Sequence, residues 1–153
     1  MNPFAEAWQL LMHGDPYVLA VVVRSLAISG SALVLATLIG LPIGAALGLS
    51  SFRLRIPAIA IVNTGLALPP VVAGLAVYLV LSRSGPLGHL ELLFTPWAMG
   101  FAQVVLAGPY IAAVTLAALE SLPPDIGLQA RGLGATRLQA ALLQLREVRT
   151  SLV

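Results

Sequence analysis

The chain has no cysteine and no lysine. Without cysteine there is no disulfide, no thiolate metal site and no cysteine nucleophile. Without lysine there is no P-loop lysine, no Schiff base and no serine–lysine dyad, so if ATP drives this protein a different chain hydrolyses it. Charge of any kind is scarce. Only 9% of the 153 residues are charged against 59% hydrophobic, with a mean hydropathy of +0.97, far from the profile of a soluble domain. The composition is that of an all-α integral membrane protein. The acidic residues Glu6, Asp15, Glu91, Glu120, Asp125 and Glu147 all fall outside the long apolar runs. A proton-coupled carrier usually needs a titratable group inside the membrane, so their positions point to energy delivered from outside the spans. No nucleophile–base pair or metal cluster is visible, which argues against an intramembrane enzyme. No nucleic-acid partner is expected.

Three apolar runs predict transmembrane helices at about 17–50, 56–82 and 93–119, flanked by an extracytoplasmic segment at 1–16 and a cytoplasmic tail at 120–153. Residues 1–16 carry no arginine and so lack the positive region of a cleavable signal peptide. Phe4, Trp8, Leu10, Leu11 and Met12 can form a short interfacial helix there. His13 stands alone and makes no metal site. The first run, at 1.5 Å per residue, would be about 51 Å long against a hydrocarbon core of about 30 Å, so it must tilt, kink at Pro42 or protrude. Within it Ala36, Gly40, Gly44 and Gly48 form a small-residue stripe that lets another helix come close, either within the chain or at a dimer seam. Arg24 lies near the outer end and can snorkel to headgroups or attract an anion.

Pro69 and Pro70 divide the second run, with Asn63, Thr64 and Gly65 about a turn before them. Broken backbone at membrane depth is tolerated where it is buried or lines a cavity, and the amide ends after Pro70 would suit a passing oxyanion. A plain packing kink is the alternative. Pro69, Pro70, Asn63 and Arg24 are therefore the candidate pathway residues. The third run is interrupted at Gly108-Pro109, and Gln103 and Thr115 are expected to hydrogen-bond between helices. The arginines give the orientation. With the amino terminus outside, Arg53, Arg55, Arg131, Arg137, Arg146 and Arg149 lie inside, and Arg24 and Arg83 outside, as the excess of positive charge in cytoplasmic loops requires.

Four of those arginines crowd the tail. Pro123 and Pro124 can open a helix, Gly132 and Gly134 can close it in a left-handed cap, and Thr136 can cap a second one. The product is a helix–turn–helix elbow with Leu128, Leu133, Leu138, Leu142 and Leu145 as apolar knobs. A positively charged loop that only fixes topology is the alternative.

The segment Gln129-Ala-Arg-Gly-Leu-Gly-Ala-Thr-Arg137 resembles the EAA loop of ABC-importer permeases of the type I, binding-protein-dependent class. Ala130 takes the place of the second Ala and Gly134 that of the Gly. Leu128 stands in place of the Glu and Gln129 in place of the first Ala, and Gln144, Leu145, Arg146 and Glu147 replace the Ile-x-Leu-Pro that would follow. The run from Leu68-Pro-Pro-Val-Val-Ala-Gly through Leu81-Ser-Arg-Ser-Gly-Pro-Leu-Gly88 to Leu93-Phe-Thr-Pro-Trp97 is similar to the permeases of tungstate- and molybdate-type oxyanion importers.

The resemblance implies a coupling helix seated in a groove of a separate ATPase subunit, which would hold ATP and magnesium. It implies a second permease copy, an extracytoplasmic binding protein and alternating access in a bacterial or archaeal plasma membrane. Ala130, Arg131, Gly134, Ala135 and Arg137 are the coupling residues it implies, and none is catalytic. Related permeases have at least five spans, with the elbow between the third and fourth, so a chain ending at Val153 resembles an incomplete permease lacking its last helices. A non-transporting assembly protein, or an inactive truncated permease, is the alternative.

Overall fold

The computed structural model describes residues 14–50, 52–123 and 125–151, apart from the side chains of Arg137, Arg149, Thr150 and Ser151. The expectations for Phe4, Glu6, Trp8, the Leu10-Leu11-Met12 run and His13 lie outside the described residues, as does Pro124. Among the described residues every regular element is helical: α1 Pro16–Leu49, α2 Arg55–Ala67, α3 Pro70–Leu81, a single 3-10 turn Gly88–Leu90, α4 Pro96–Glu120, α5 Asp125–Gly132 and α6 Arg137–Ser151. The protein is an all-α membrane protein, and α1 and α4 are each long and apolar enough to cross a bilayer.

Helix α1 opens on Asp15, whose carboxylate accepts hydrogen bonds from the amides of Tyr17 (2.8 Å) and Val18 (3.2 Å). Pro16 follows at the first helical position, where its missing amide costs nothing. The helix then runs through Pro42 without ending. At about 1.5 Å per residue it exceeds the hydrocarbon thickness by roughly 20 Å.

The small-residue stripe of α1 is spent inside the chain, on α4. A Cβ placed on Gly40 would lie 2.6 Å from the Gly108 carbonyl oxygen, and one on Gly48 would lie 2.9 Å from the Leu119 Cβ. At Gly44 it would overlap the Ala112 carbonyl oxygen. Ala32, Ala36, Gly40 and Gly44 are buried along this seam. The partners on α4 rise in number with those on α1, so the two helices run parallel. Both therefore end at the same side of the molecule, called here the foot, and the chain between them has to return across.

Helices α2 and α3 make that return, bent by 102° at the break between Ala67 and Pro70. Val62 of α2 is buried in a cluster with Leu47, Ala112, Ala113 and Leu116. Gly65 of α2 meets Pro109, whose Cβ would lie 2.8 Å from a Cβ at that glycine. The expected interruption at Gly108-Pro109 does not occur: α4 is continuous from Pro96 to Glu120, and the proline ring fills a notch on α2 instead of breaking the span. Phe94, with φ 63°, is left-handed, so α4 begins at Pro96, a few residues after the apolar run itself starts.

The interior polar residues of α4 divide. The Gln103 side-chain amide donates to the Ser29 hydroxyl across the α1–α4 seam at 3.2 Å, as expected. Thr115 does not bridge helices. Its hydroxyl donates to the Ile111 carbonyl of its own helix at 2.7 Å, as Thr37 and Thr64 do to the carbonyls four residues before them, the local bond open to any threonine within a helix.

Candidate functional site

The elbow hangs from the end of α4 through Ser121, Leu122 and the two prolines. Helix α5 carries Asp125 in its first turn and Arg131 in its last, each charge at the pole of the helix dipole that favours it. Its end is a Schellman closure. The Gly134 amide donates to the Arg131 carbonyl at 3.0 Å and the Ala135 amide to the Ala130 carbonyl at 3.0 Å. That pattern needs a left-handed residue, and Gly134 supplies it with φ 93°. Gly132 does not share the task as expected; it is the last residue of the helix proper, because one left-handed position suffices to reverse the chain.

Helix α6 starts on a reciprocal capping box. The Thr136 hydroxyl accepts from the Gln139 amide at 3.3 Å, and the Gln139 side-chain oxygen accepts from the Thr136 amide at 2.8 Å, which satisfies two otherwise unpaired donors. The two helices then close on each other. Ala130 and Ala140 are 8% and 4% exposed, and Gly127 leaves so little room that an added Cβ would strike the side-chain amide of Gln144.

The structure places the expected elbow residues on different surfaces. Ala130 is buried and Ala135 half-buried, while Arg131 and Gly134 are exposed. Arg137 opens α6, and its side chain is not described. Leu133 stands at the tip of the elbow, 91% exposed. Leu128, Leu138, Leu142 and Leu145 instead line a cleft of about 970 Å³ between the elbow and the last turn of α1. Leu128, Leu138 and Leu142 stay more than half exposed at its edge, and sequence alone gave no sign of the cleft.

A second cleft, of about 560 Å³, opens beside the break between α2 and α3. Pro70 and Leu68 form one wall, and Ser29, Gln103 and Tyr110 supply the polar atoms. Of the candidate pathway residues only Pro70 lines it. Pro69 is exposed between two residues that line it, and Asn63 and Arg24 are exposed without lining it. Ser29 and Tyr110 went unnoticed in the sequence, where single hydroxyls within apolar runs carry no periodic signal. Among the described residues no group of three His, Asp or Glu side chains could hold a metal.

The foot also holds a contact that the sequence did not announce. The Arg55 guanidinium donates from Nε to the Leu47 carbonyl at 2.7 Å and from its terminal nitrogen to the Glu120 carboxylate at 2.8 Å. It thereby joins the end of α1, the start of α2 and the end of α4.

Residues 40–148 match the family model of the binding-protein-dependent transport system inner membrane component. Among curated proteins, the chain is 43% identical over 137 residues to a probable anion ABC transporter permease protein of Haloferax volcanii, covering 90% of this chain and 59% of the relative. It is 34% identical over 149 residues to the tungstate uptake system permease protein TupB of Peptoclostridium acidaminophilum, covering 97% of this chain and 65% of the relative. The TupB of Campylobacter jejuni is also 34% identical, over 150 residues, covering 98% of this chain and 63% of the relative. The chain thus spans about three-fifths of the length of the curated relatives it matches.

Proposed function

Because the chain belongs to the family of binding-protein-dependent transport system inner membrane components, we propose that it acts as a membrane-spanning permease subunit of an ATP-driven importer whose cargo is an oxyanion of the tungstate or molybdate type. The names of the three relatives support an anion as cargo, and two of them support tungstate. The observation that carries the coupling role is the elbow itself, a capped helical hairpin fixed to the foot of two parallel helices with Leu133 nearly fully exposed at its tip.

On this proposal the elbow docks on a separate ATPase, which binds ATP and magnesium. Leu133 enters an apolar pocket there, Arg131 and Arg137 meet acidic side chains at its rim, and the bare Gly134 lets the two backbones approach. Ala130 and Ala135 serve by keeping α5 and α6 close enough to move as one body. A second permease copy and an extracytoplasmic binding protein complete the importer in a bacterial or archaeal plasma membrane, with the elbow cytoplasmic and the amino terminus outside. Pro69, Pro70, Asn63 and Arg24 are assigned to the anion's route. The arginine asymmetry along the chain supports the orientation. Closing of the ATPase dimer would draw two elbows together and rock the spans between inward- and outward-facing states.

The test is purification of the native assembly in mild detergent, followed by reconstitution with the binding protein. An ATPase subunit at equal stoichiometry and hydrolysis stimulated by tungstate or molybdate are expected. A permease that comes away without an ATPase, and liposomes that take up no oxyanion with ATP inside, would refute the proposal.

A further inference from the structure

The two charges of the foot contact each sit at the wrong end of their own helix. Arg55 is the first residue of α2, where the dipole's positive pole disfavours a cation, and Glu120 is the last residue of α4, where the negative pole disfavours an anion. Helix stability therefore explains neither. Their pairing does not explain them as a stability device either, because the side chains are 31% and 52% exposed, and ion pairs with that much access to water contribute little. What the contact does uniquely is mechanical. One planar guanidinium holds a carbonyl in the final turn of α1 and the terminal carboxylate of α4 at once, from the root of α2. Each of those two helix ends is negative, so a fork of fixed donors suits both.

The position adds the rest. Glu120 is the last helical residue before the elbow, and the connection from it runs through Pro123, whose fixed φ stiffens it. Along the chain, a displacement of the elbow thus arrives first at Glu120, in addition to what the direct packing of α6 on α4 passes on. Without Arg55 that displacement could be absorbed by fraying the last turn of α4. With it, the ends of α1 and α2 are drawn along.

We propose that Arg55 is a positioning residue for energy coupling, a clamp that makes the feet of α1, α2 and α4 move as a unit with the elbow. The proposal rests on the permease function above. It predicts that loss of the clamp changes how many anions move per ATP, more than it changes folding or assembly.

The experiment uses the complete permease with its ATPase and binding protein in proteoliposomes, with tungstate uptake and ATP hydrolysis measured on the same preparation and thermal stability alongside. Arg55→Ala and the shape-preserving Glu120→Gln are each expected to lower the anions carried per ATP by about 2-fold to 5-fold, the lower part of the range of coupling changes from residues that touch neither ligand, as befits a pair open to water. Assembly and melting temperature should stay near those of the parent. The double variant should resemble Arg55→Ala, because that change alone already removes both contacts of the clamp. Uptake and hydrolysis falling together with melting temperature, at an unchanged ratio, would mean a structural role only and overturn the clamp, as would unaltered coupling in both variants. A parent complex that neither takes up tungstate nor hydrolyses ATP in response to it would overturn the permease function, and the clamp with it.

Discussion

Gly44→Ala is the sharpest probe of the α1–α4 seam, because it adds one methyl group at a place where the backbone of α4 already stands. The new carbon would overlap the Ala112 carbonyl oxygen and lie 2.7 Å from the Thr115 Cβ, whereas ordinary contact begins at 3.4 Å. Neither neighbour can swing aside, since one is backbone and the other is the first atom of a side chain. The helices would have to part by about 1 Å, and overpacking of this kind costs about 1–3 kcal/mol. Removing a glycine from a helix interior offsets roughly 0.5–1 kcal/mol of that. Gly30→Ala on the same helix is the control, because nothing lies within 4 Å of a Cβ there, and only the favourable helix term remains. Thermal unfolding of the two variants in one detergent, followed by loss of helical circular dichroism, should move them to opposite sides of the parent. A Gly44→Ala protein that melts at or above Gly30→Ala would refute the close parallel packing.

Gly134→Val forces a β-branched residue into φ 93°, a conformation that costs about 1–3 kcal/mol in a non-glycine residue. Hydrogen exchange at the Gly134 and Ala135 amides should quicken, and in the assembled importer ATP hydrolysis should continue with little uptake. Thr136→Ala removes one half of the capping box and should weaken the start of α6 by about 1 kcal/mol, seen as faster exchange at the Gln139 amide with the spans unaffected. Gln103→Leu deletes the bond to Ser29. Hydrogen bonds between membrane helices average about 0.6 kcal/mol, so its melting temperature should barely move, and a large drop would assign Gln103 a further partner.

The broad architecture was legible because its signals are local. Long apolar runs define spans, arginines mark their ends, and the Gly134 and Thr136 caps each act within a few residues of themselves. The errors arose where a local signal was outweighed by a distant one. Pro109 carries a helix-breaking ring, yet α4 runs on, as α1 does through Pro42, because membrane helices tolerate proline where neighbouring structure is at hand, and the ring packs against Gly65. Thr115 is polar and central, yet it turns to its own helix, as Thr37 and Thr64 do, because a carbonyl four residues back is always within reach. The elbow leucines follow a helical spacing that announces an apolar face but not its direction, so the cleft they line with α1 could not be foreseen. The Arg55–Glu120 contact joins residues far apart in the chain. Its only trace in the sequence is a pair of charges at unfavourable helix ends.

The parallel course of α1 and α4 gives the break in the second span its physical meaning. A chain that finishes α1 at the foot and enters α4 at the opposite end must climb between them, and one straight helix would suffice. Helix α2, at about 20 Å, covers only part of a 30 Å core before the chain turns by 102° into α3. The turn leaves the space beside Ser29, Gln103 and Tyr110 open where a straight helix would have continued. It also places the non-helical backbone of Leu68 and Pro69 at the level of that opening. Backbone of this kind is stable in a bilayer only against protein or a water-filled cavity, because hydrocarbon cannot accept or donate hydrogen bonds. Both residues are exposed on the chain by itself. The side of the bundle that carries the break is therefore the one that must face further protein or water, and the apolar flank of α1 turned away from it, where Val23, Val34 and Leu38 stand exposed, is the one suited to lipid.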